Sequence, residues 1–178
     1  PTVEEIRRRV QAGEFGEFMA LESSRINLGL FQPDVDVIWD LAPHDLSIFS
    51  AVLQELPTSV CAVGQCNNPS GFADNAHLHL QYASGIAAHV HVSWLSPVKV
   101  RRMIFSGLKK FAMYDDLEPT EKLKIYDHGV DFDVRNPESK RQVLVSYRRG
   151  DMLAPRIPPR EALAVQLANI ADALNNGA

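Results

Sequence analysis

Asp40, His44 and Asp45 place two carboxylates and an imidazole within six residues, beside Trp39. On a helix the four-residue spacing puts Asp40 and His44 on one face. A carboxylate beside an imidazole fixes its tautomer, favours the protonated form and aims the ring. Such a pair does acid–base work on a hydroxyl or a carbonyl. The same residue types also suit a plain helix start, with Asp as a cap and His as its neighbour.

A second concentration of polar chemistry lies in residues 74–94. The runs 76–82 and 86–94 read as strands joined by Ala83-Ser84-Gly85. A three-residue loop ending in Gly is a common hairpin connection, the Gly taking the left-handed conformation. It pairs Tyr82 with Ile86, Leu80 with Ala88 and Leu78 with Val90, which gathers the apolar side chains on one face. A two-residue loop would mix the faces, so the pattern selects this register. The other face collects His77, His79, His89 and His91, with His79 opposite His89 and His77 opposite His91. Four imidazoles so placed could bind a transition metal. Exposed imidazole pairs seldom do so without a carboxylate or thiolate nearby. A polar open face or a subunit contact is the preferred reading, and no metal is expected.

The elements around these residues follow from pattern. Thr2-Val3-Glu4-Glu5 has capping-box form, and with Gly13 as a stop it predicts a helix over 3–12. Residues 17–26 read as a strand, followed by a polar loop through Asn27, Gly29 and Pro33. From Pro43, a residue suited to a first helical turn, Leu46, Phe49, Val52, Leu53 and Leu56 keep helical spacing up to Pro57. Strands are predicted over 59–65, 98–106, 109–115, 122–126 and 142–147, with breaks at 67–71, Gly107, 116–120 and Asn136-Pro137. After Pro155, Pro158 and Pro159, a final helix carries Leu163, Leu167, Ile170 and Leu174 on one stripe. Consecutive strands with short turns give an α+β fold: a mainly antiparallel, open-faced sheet of about six or more strands, with helices packed on one face.

Composition narrows the partners. The 178 residues make a single domain, 1–178, with 46% hydrophobic and 22% charged residues, enough for a real core. A net charge of −4 argues against nucleic acid or an anionic membrane as the main partner. No apolar run is long enough to span a bilayer. Cys61 and Cys66 lie in no metal-type spacing and form no disulfide framework, so reduced, cytoplasmic thiols are the default. No Gly-rich phosphate loop, G-x-S-x-G or H-E-x-x-H occurs. The chain opens on Pro1-Thr2-Val3 and stops at Asn176-Gly177-Ala178, close to a helix, and both ends look cut.

The order of motifs is similar to the C-terminal domain of the glucose-fructose oxidoreductase / inositol dehydrogenase (Gfo/Idh/MocA) family, over essentially the whole chain. Its pieces are Gly13-Glu14-Phe15-Gly16, Arg25-Ile26-Asn27-Leu28-Gly29, Trp39-Asp40-Leu41-Ala42-Pro43-His44-Asp45, the hairpin, Trp94 to Arg101, and Met113-Tyr114-Asp115-Asp116. The resemblance implies oxidation or reduction of a sugar, nucleotide-sugar or cyclitol carbon with NAD or NADP. It implies that an N-terminal Rossmann domain, absent from this chain, binds the cofactor, and that a catalytic lysine of a Glu-Lys-Pro motif, also absent, pairs with a His and an Asp of this domain. Carried over by position, His44 relays the proton of the reacting hydroxyl and Asp40 orients it or holds the substrate. Arg25, Asn27, Lys99 and Arg101 are candidates for substrate contact, with ion pairing between neighbours explaining them equally well. Asp45 and Trp39 are assigned structural roles. The open sheet face implies a homo-oligomer.

Taken alone, this chain is not expected to turn over substrate. A non-catalytic sugar-binding or assembly module with the same sheet is the alternative, and a His-cluster metal-binding domain stands third.

Overall fold

Alternation of apolar and polar residues along the hairpin strands, Asn75–Gln81 and Ala87–Ser93, sorts the sheet there into a covered face and an open face. The computed structural model describes residues 1–29, 31–133, 144–158 and 162–176. In chain order the elements are α1 (Thr2–Gln11), β1 (Phe18–Leu28), α2 (Val37–Leu53), β2 (Ser59–Gln65), β3 (Asn75–Gln81) and β4 (Ala87–Ser93). They continue with β5 (Leu95–Gly107), β6 (Phe111–Asp115), β7 (Leu123–Asp133), β8 (Leu144–Leu153) and α3 (Ala162–Asn176). The eight strands form one sheet in the order β2-β3-β4-β1-β5-β6-β7-β8. The fold is α+β with a mainly antiparallel sheet, as its sequence pattern predicts.

The hairpin has the predicted register. Leu78 lies opposite Val90, Leu80 opposite Ala88, His77 opposite His91 and His79 opposite His89. Gly85 has φ +88°, which a side-chain-bearing residue rarely adopts, and its N–H bonds the Tyr82 carbonyl at 3.0 Å. Ala76, Leu78 and Leu80 are buried while His77, His79 and Gln81 are exposed. The buried side meets Ile6, Phe49 and Val52 of α1 and α2 in a single core. Each fully buried Val, Leu or Phe there contributes roughly 1.5–3 kcal/mol. Gly107 lets the loop after α1 close onto the sheet, since a Cβ there would lie 2.4 Å from the Phe15 carbonyl oxygen.

Several expectations are corrected. β1 pairs parallel with β4, because α2 and the β2–β4 unit return the chain to the edge β1 left open. α2 begins at Val37, not Pro43: the Asp36 side chain accepts from the Trp39 N–H at 2.9 Å and caps the helix. Pro43 therefore sits inside the helix, exposed, where its missing N–H costs one intrahelical bond. The helix stops at Leu53, with Gln54 in the left-handed conformation.

No capping box forms in α1, where Pro1 precedes a buried Thr2. Glu5 instead accepts from Arg8 and Arg9, and the Arg8 hydrogen bond leads in holding its carboxyl down to about 2. β7 and β8 run longer than predicted, and the Asn136-Pro137 break lies outside the described residues. The apolar stripe of α3 does not pack on the sheet face: Leu163, Leu167, Ile170 and Leu174 are 49–80% exposed. Among the described residues no helix is long and apolar enough to cross a membrane.

Candidate active site

Helical phase decides what each residue of α2 touches. Val37, Ala42, Asp45, Phe49 and Val52 form the face turned to the sheet. Asp40 and His44 lie together on one flank. Trp39, expected to be structural, falls on the other flank and is 75% exposed.

Asp45 is the anchor of this helix. It is 1% exposed and accepts from the Ser23 hydroxyl at 2.7 Å and from Arg25 Nε and Nη2 at 2.9 and 2.7 Å. Ser23 and Arg25 are alternate residues of β1 facing the helices, so the pair fixes both the height and the rotation of α2 on the sheet. Of the two readings open for Arg25, ion pairing is the observed one.

Asp40 is held from the sheet side. Its Oδ2 accepts the indole N–H of Trp94 at 2.9 Å, and Trp94 is 2% exposed. The four-residue spacing predicts an Asp40 carboxylate that orients His44, but its hydrogen-bond partner is this indole. Trp94 is boxed in turn. Its carbonyl accepts from the Gly29 N–H at 3.0 Å, and Phe31 meets its ring edge to face at 5.6 Å. A Cβ on Gly29 would lie 3.0 Å from Trp94 Cδ1 and 2.9 Å from Asn27 Nδ2, which brings Asn27 into the same corner. His44 is exposed, and among the described residues its ring makes no hydrogen bond; only its carbonyl is engaged, by the Ser47 hydroxyl.

The start of the α2 helix is pinned by the connection between β2 and β3, which the sequence reads only as a break at 67–71. The Val37 N–H bonds the Ala73 carbonyl, and the Trp94 N–H bonds the Asp74 carbonyl, both at 2.9 Å. Asp74 is fully buried and accepts from the Asn67 N–H, Asn67 Nδ2 and Asn68 Nδ2 at 2.7–2.9 Å. Burial alone would raise its carboxyl, but these donors outweigh it and hold the carboxyl below its usual range.

A polar patch continues along β5 and β6. Arg101 lies opposite Arg25 and has Asp116 at 3.8 Å, while Asp116 accepts from the Tyr114 hydroxyl at 3.0 Å and from Lys122 at 3.3 Å. Burial and the neighbouring Asp116 push the Tyr114 hydroxyl well up, so it serves as a donor. For Asp116, burial pulls upward, and Tyr114, Lys122 and Arg101 together hold the carboxyl down. Lys99 is exposed, two residues before Arg101 on the same side of β5.

Asp40, Asn27, Lys99 and Arg101 thus share the end of the sheet where β1 finishes and β5 begins, with His44 beside them on α2. Tyr114, Asp116 and Trp94 join them without having been singled out for this role by the sequence. Two hollows, one lined by Arg7, Ser50, Gln54 and Leu56 and one by Glu4, Arg8, Arg156 and Pro158, lie away from these residues. The group presents an open surface of fixed carboxylate, exposed imidazole and cationic heads, suited to hydrogen-bonding a polyol. The sequence holds no Gly-rich turn of the kind that cradles dinucleotide phosphates between a strand and a helix.

A family profile described as the GFO/IDH/MocA C-terminal domain matches residues 3–111. Among solved structures, the chain is similar to UDP-N-acetylglucosamine 3-dehydrogenase GnnA from Acidithiobacillus ferrooxidans, with 26% identity and a TM-score of 0.67 over 97% of this chain and 53% of that one. An aldose-aldose oxidoreductase from Caulobacter crescentus complexed with glycerol shares the fold at 15% identity, TM-score 0.73, over 99% and 51% of the two chains. So does an inositol dehydrogenase homolog from Azotobacter vinelandii complexed with NADH and myo-inositol, at 18% identity, TM-score 0.64, over 91% and 45%. The chain spans about half the length of these structures. No curated protein matches it in sequence. With the profile covering more than half of its residues and the sheet, the hairpin and the Asp40–His44 helix in place, the chain belongs to the GFO/IDH/MocA C-terminal domain family.

Proposed function

We propose that this chain is the substrate-binding and oligomerisation domain of an NAD(P)-dependent oxidoreductase acting on a hydroxyl or carbonyl of a sugar, a nucleotide sugar or a cyclitol. The observation that carries the reading is the Asp40/His44 flank of α2. There a carboxylate fixed by a buried indole stands one helical turn from an exposed imidazole whose ring makes no hydrogen bond among the described residues. The names of the similar structures support the substrate class: a UDP-N-acetylglucosamine dehydrogenase, an aldose-aldose oxidoreductase, and an inositol dehydrogenase homolog holding NADH and myo-inositol.

In this reading His44 takes or returns the proton of the reacting hydroxyl. Asp40 accepts a hydrogen bond from a neighbouring hydroxyl, and Asn27, Lys99 and Arg101 contact the rest of the ring or its anionic substituent. Arg25 acts through Asp45, as a positioning residue. The nicotinamide dinucleotide, bound by a separate Rossmann domain, supplies the hydride acceptor or donor. Exposed apolar surface fits such a neighbour: Leu28, at the end of β1, and Trp39, on the other flank of α2, are each 75% exposed, and the α3 stripe is open. The open sheet face is the surface for a second copy, and two free cysteines fit a reducing, cytoplasmic setting.

Turnover by the intact protein tests the reading. With NAD or NADP supplied, one of UDP-N-acetylglucosamine, an aldose or myo-inositol supports cofactor reduction. Cofactor binding without reduction across all three classes rejects the enzyme and leaves a non-catalytic binding module.

A further inference from the structure

Two of the four imidazoles on the open face are arranged to chelate. One row runs across β2, β3, β4 and β1, with Cys61 opposite His79, His79 opposite His89, and His89 opposite Glu22. The His79 and His89 rings meet at 81° with centroids 4.8 Å apart, and their Nδ1 atoms are 2.6 Å apart. At that distance one ring donates its proton to the lone pair of the other, so two nitrogens converge on one point. A divalent ion can stand where the shared proton stands. Tetrahedral zinc with bonds of about 2.0–2.1 Å sets its nitrogens about 3.4 Å apart, a small opening for two exposed side chains.

The adjacent row is built differently. His77 and His91 stack at 4.1 Å and 9°, which keeps their lone pairs parallel, and His91 Nε2 bonds Asn75 Oδ1 at 2.9 Å. That row ends in Val63 and Ser24, neither of them a thiol or carboxylate. The hairpin alone gives no reason to prefer either pair. The sheet order does, because it brings β2 and β1 alongside and flanks His79/His89 with a thiol and a carboxylate. Cys61 is free and exposed. Among the described residues no three such donors already gather round one point, so the preformed part is the nitrogen pair. Opposed Cβ atoms on paired strands lie about 4.5–5.5 Å apart, within reach of a rotamer change.

We propose that His79 and His89 form a binding site for a borderline transition-metal ion such as zinc, with Cys61 and Glu22 as flanking donors. Calorimetric titration with zinc ion alone tests it at neutral pH. One equivalent binds the unaltered chain. His79→Asn and His89→Asn each weaken binding at least tenfold, while His77→Asn/His91→Asn leaves it unchanged. Circular dichroism checks that each variant is folded, and His79→Gln replaces His79→Asn if that variant is not. Absence of binding heat overturns the proposal, as does binding that survives at either member of the pair or is lost in the His77/His91 variant.

Discussion

In the intact protein His44→Ala lowers kcat by about 100- to 10,000-fold, the usual worth of a positioned acid–base group. Affinity for the dinucleotide, bound in the proposed reading by a separate Rossmann domain, changes little. The structure makes this a clean measurement. His44 is exposed and its ring holds no hydrogen bond among the described residues, so truncation leaves the fold within about 0.5 kcal/mol of its original stability. A fall in kcat matched by an equal fall in kcat/KM is the mark of an interaction made in the transition state. Asp40→Asn separates the two roles on the same flank, since an amide oxygen can still accept from Trp94 while the charge is gone. Steady-state kinetics with kcat unchanged in His44→Ala removes this residue from the chemistry.

Asp45→Ala destabilises the chain by about 3–5 kcal/mol, the cost of leaving one member of a buried ion pair alone. The Arg25 side chain is 12% exposed and loses both of its recorded bonds, and the buried Ser23 hydroxyl loses its acceptor. Exchanging both partners for apolar residues, as in Arg25→Met with Asp45→Leu, recovers much of the loss, because no charge is then stranded. The exposed Arg102–Asp115 pair offers the contrast. Its arginine side chain is 48% exposed, and breaking it costs no more than about 1 kcal/mol. Urea unfolding gives all of these values. A loss under about 1 kcal/mol for Asp45→Ala would mean that the pair does not hold α2 in place.

What the sequence made legible was local. The hairpin register followed from alternation and a Gly-terminated loop, and β2 was bounded correctly by the turn residues around it. The placement of Asp40 and His44 on one helical flank needed only their spacing. Several of the misses share a physical cause, since they depend on contacts between distant segments. Arg25 and Asp45 are 20 residues apart, and the Asp40 and Trp94 side chains 54. The parallel pairing of β1 with β4 likewise depends on the path of everything between them.

A signal for Asp45 was nevertheless present. Positions 42, 45, 49 and 52 share the apolar stripe of α2, and a carboxylate on such a stripe requires a cationic partner. The true start of α2 was also written in Asp36, three residues before the backbone N–H it caps. Pro43 drew the boundary instead, because proline is far commoner in a first turn than within a helix.

The most direct test is a crystal structure of the intact protein with its dinucleotide and the sugar or cyclitol that it turns over. The account predicts the reacting oxygen within hydrogen-bond reach of a His44 ring nitrogen, about 2.6–3.2 Å, with Asp40 on the same substrate. A sugar bound productively with neither His44 nor Asp40 in contact would contradict it.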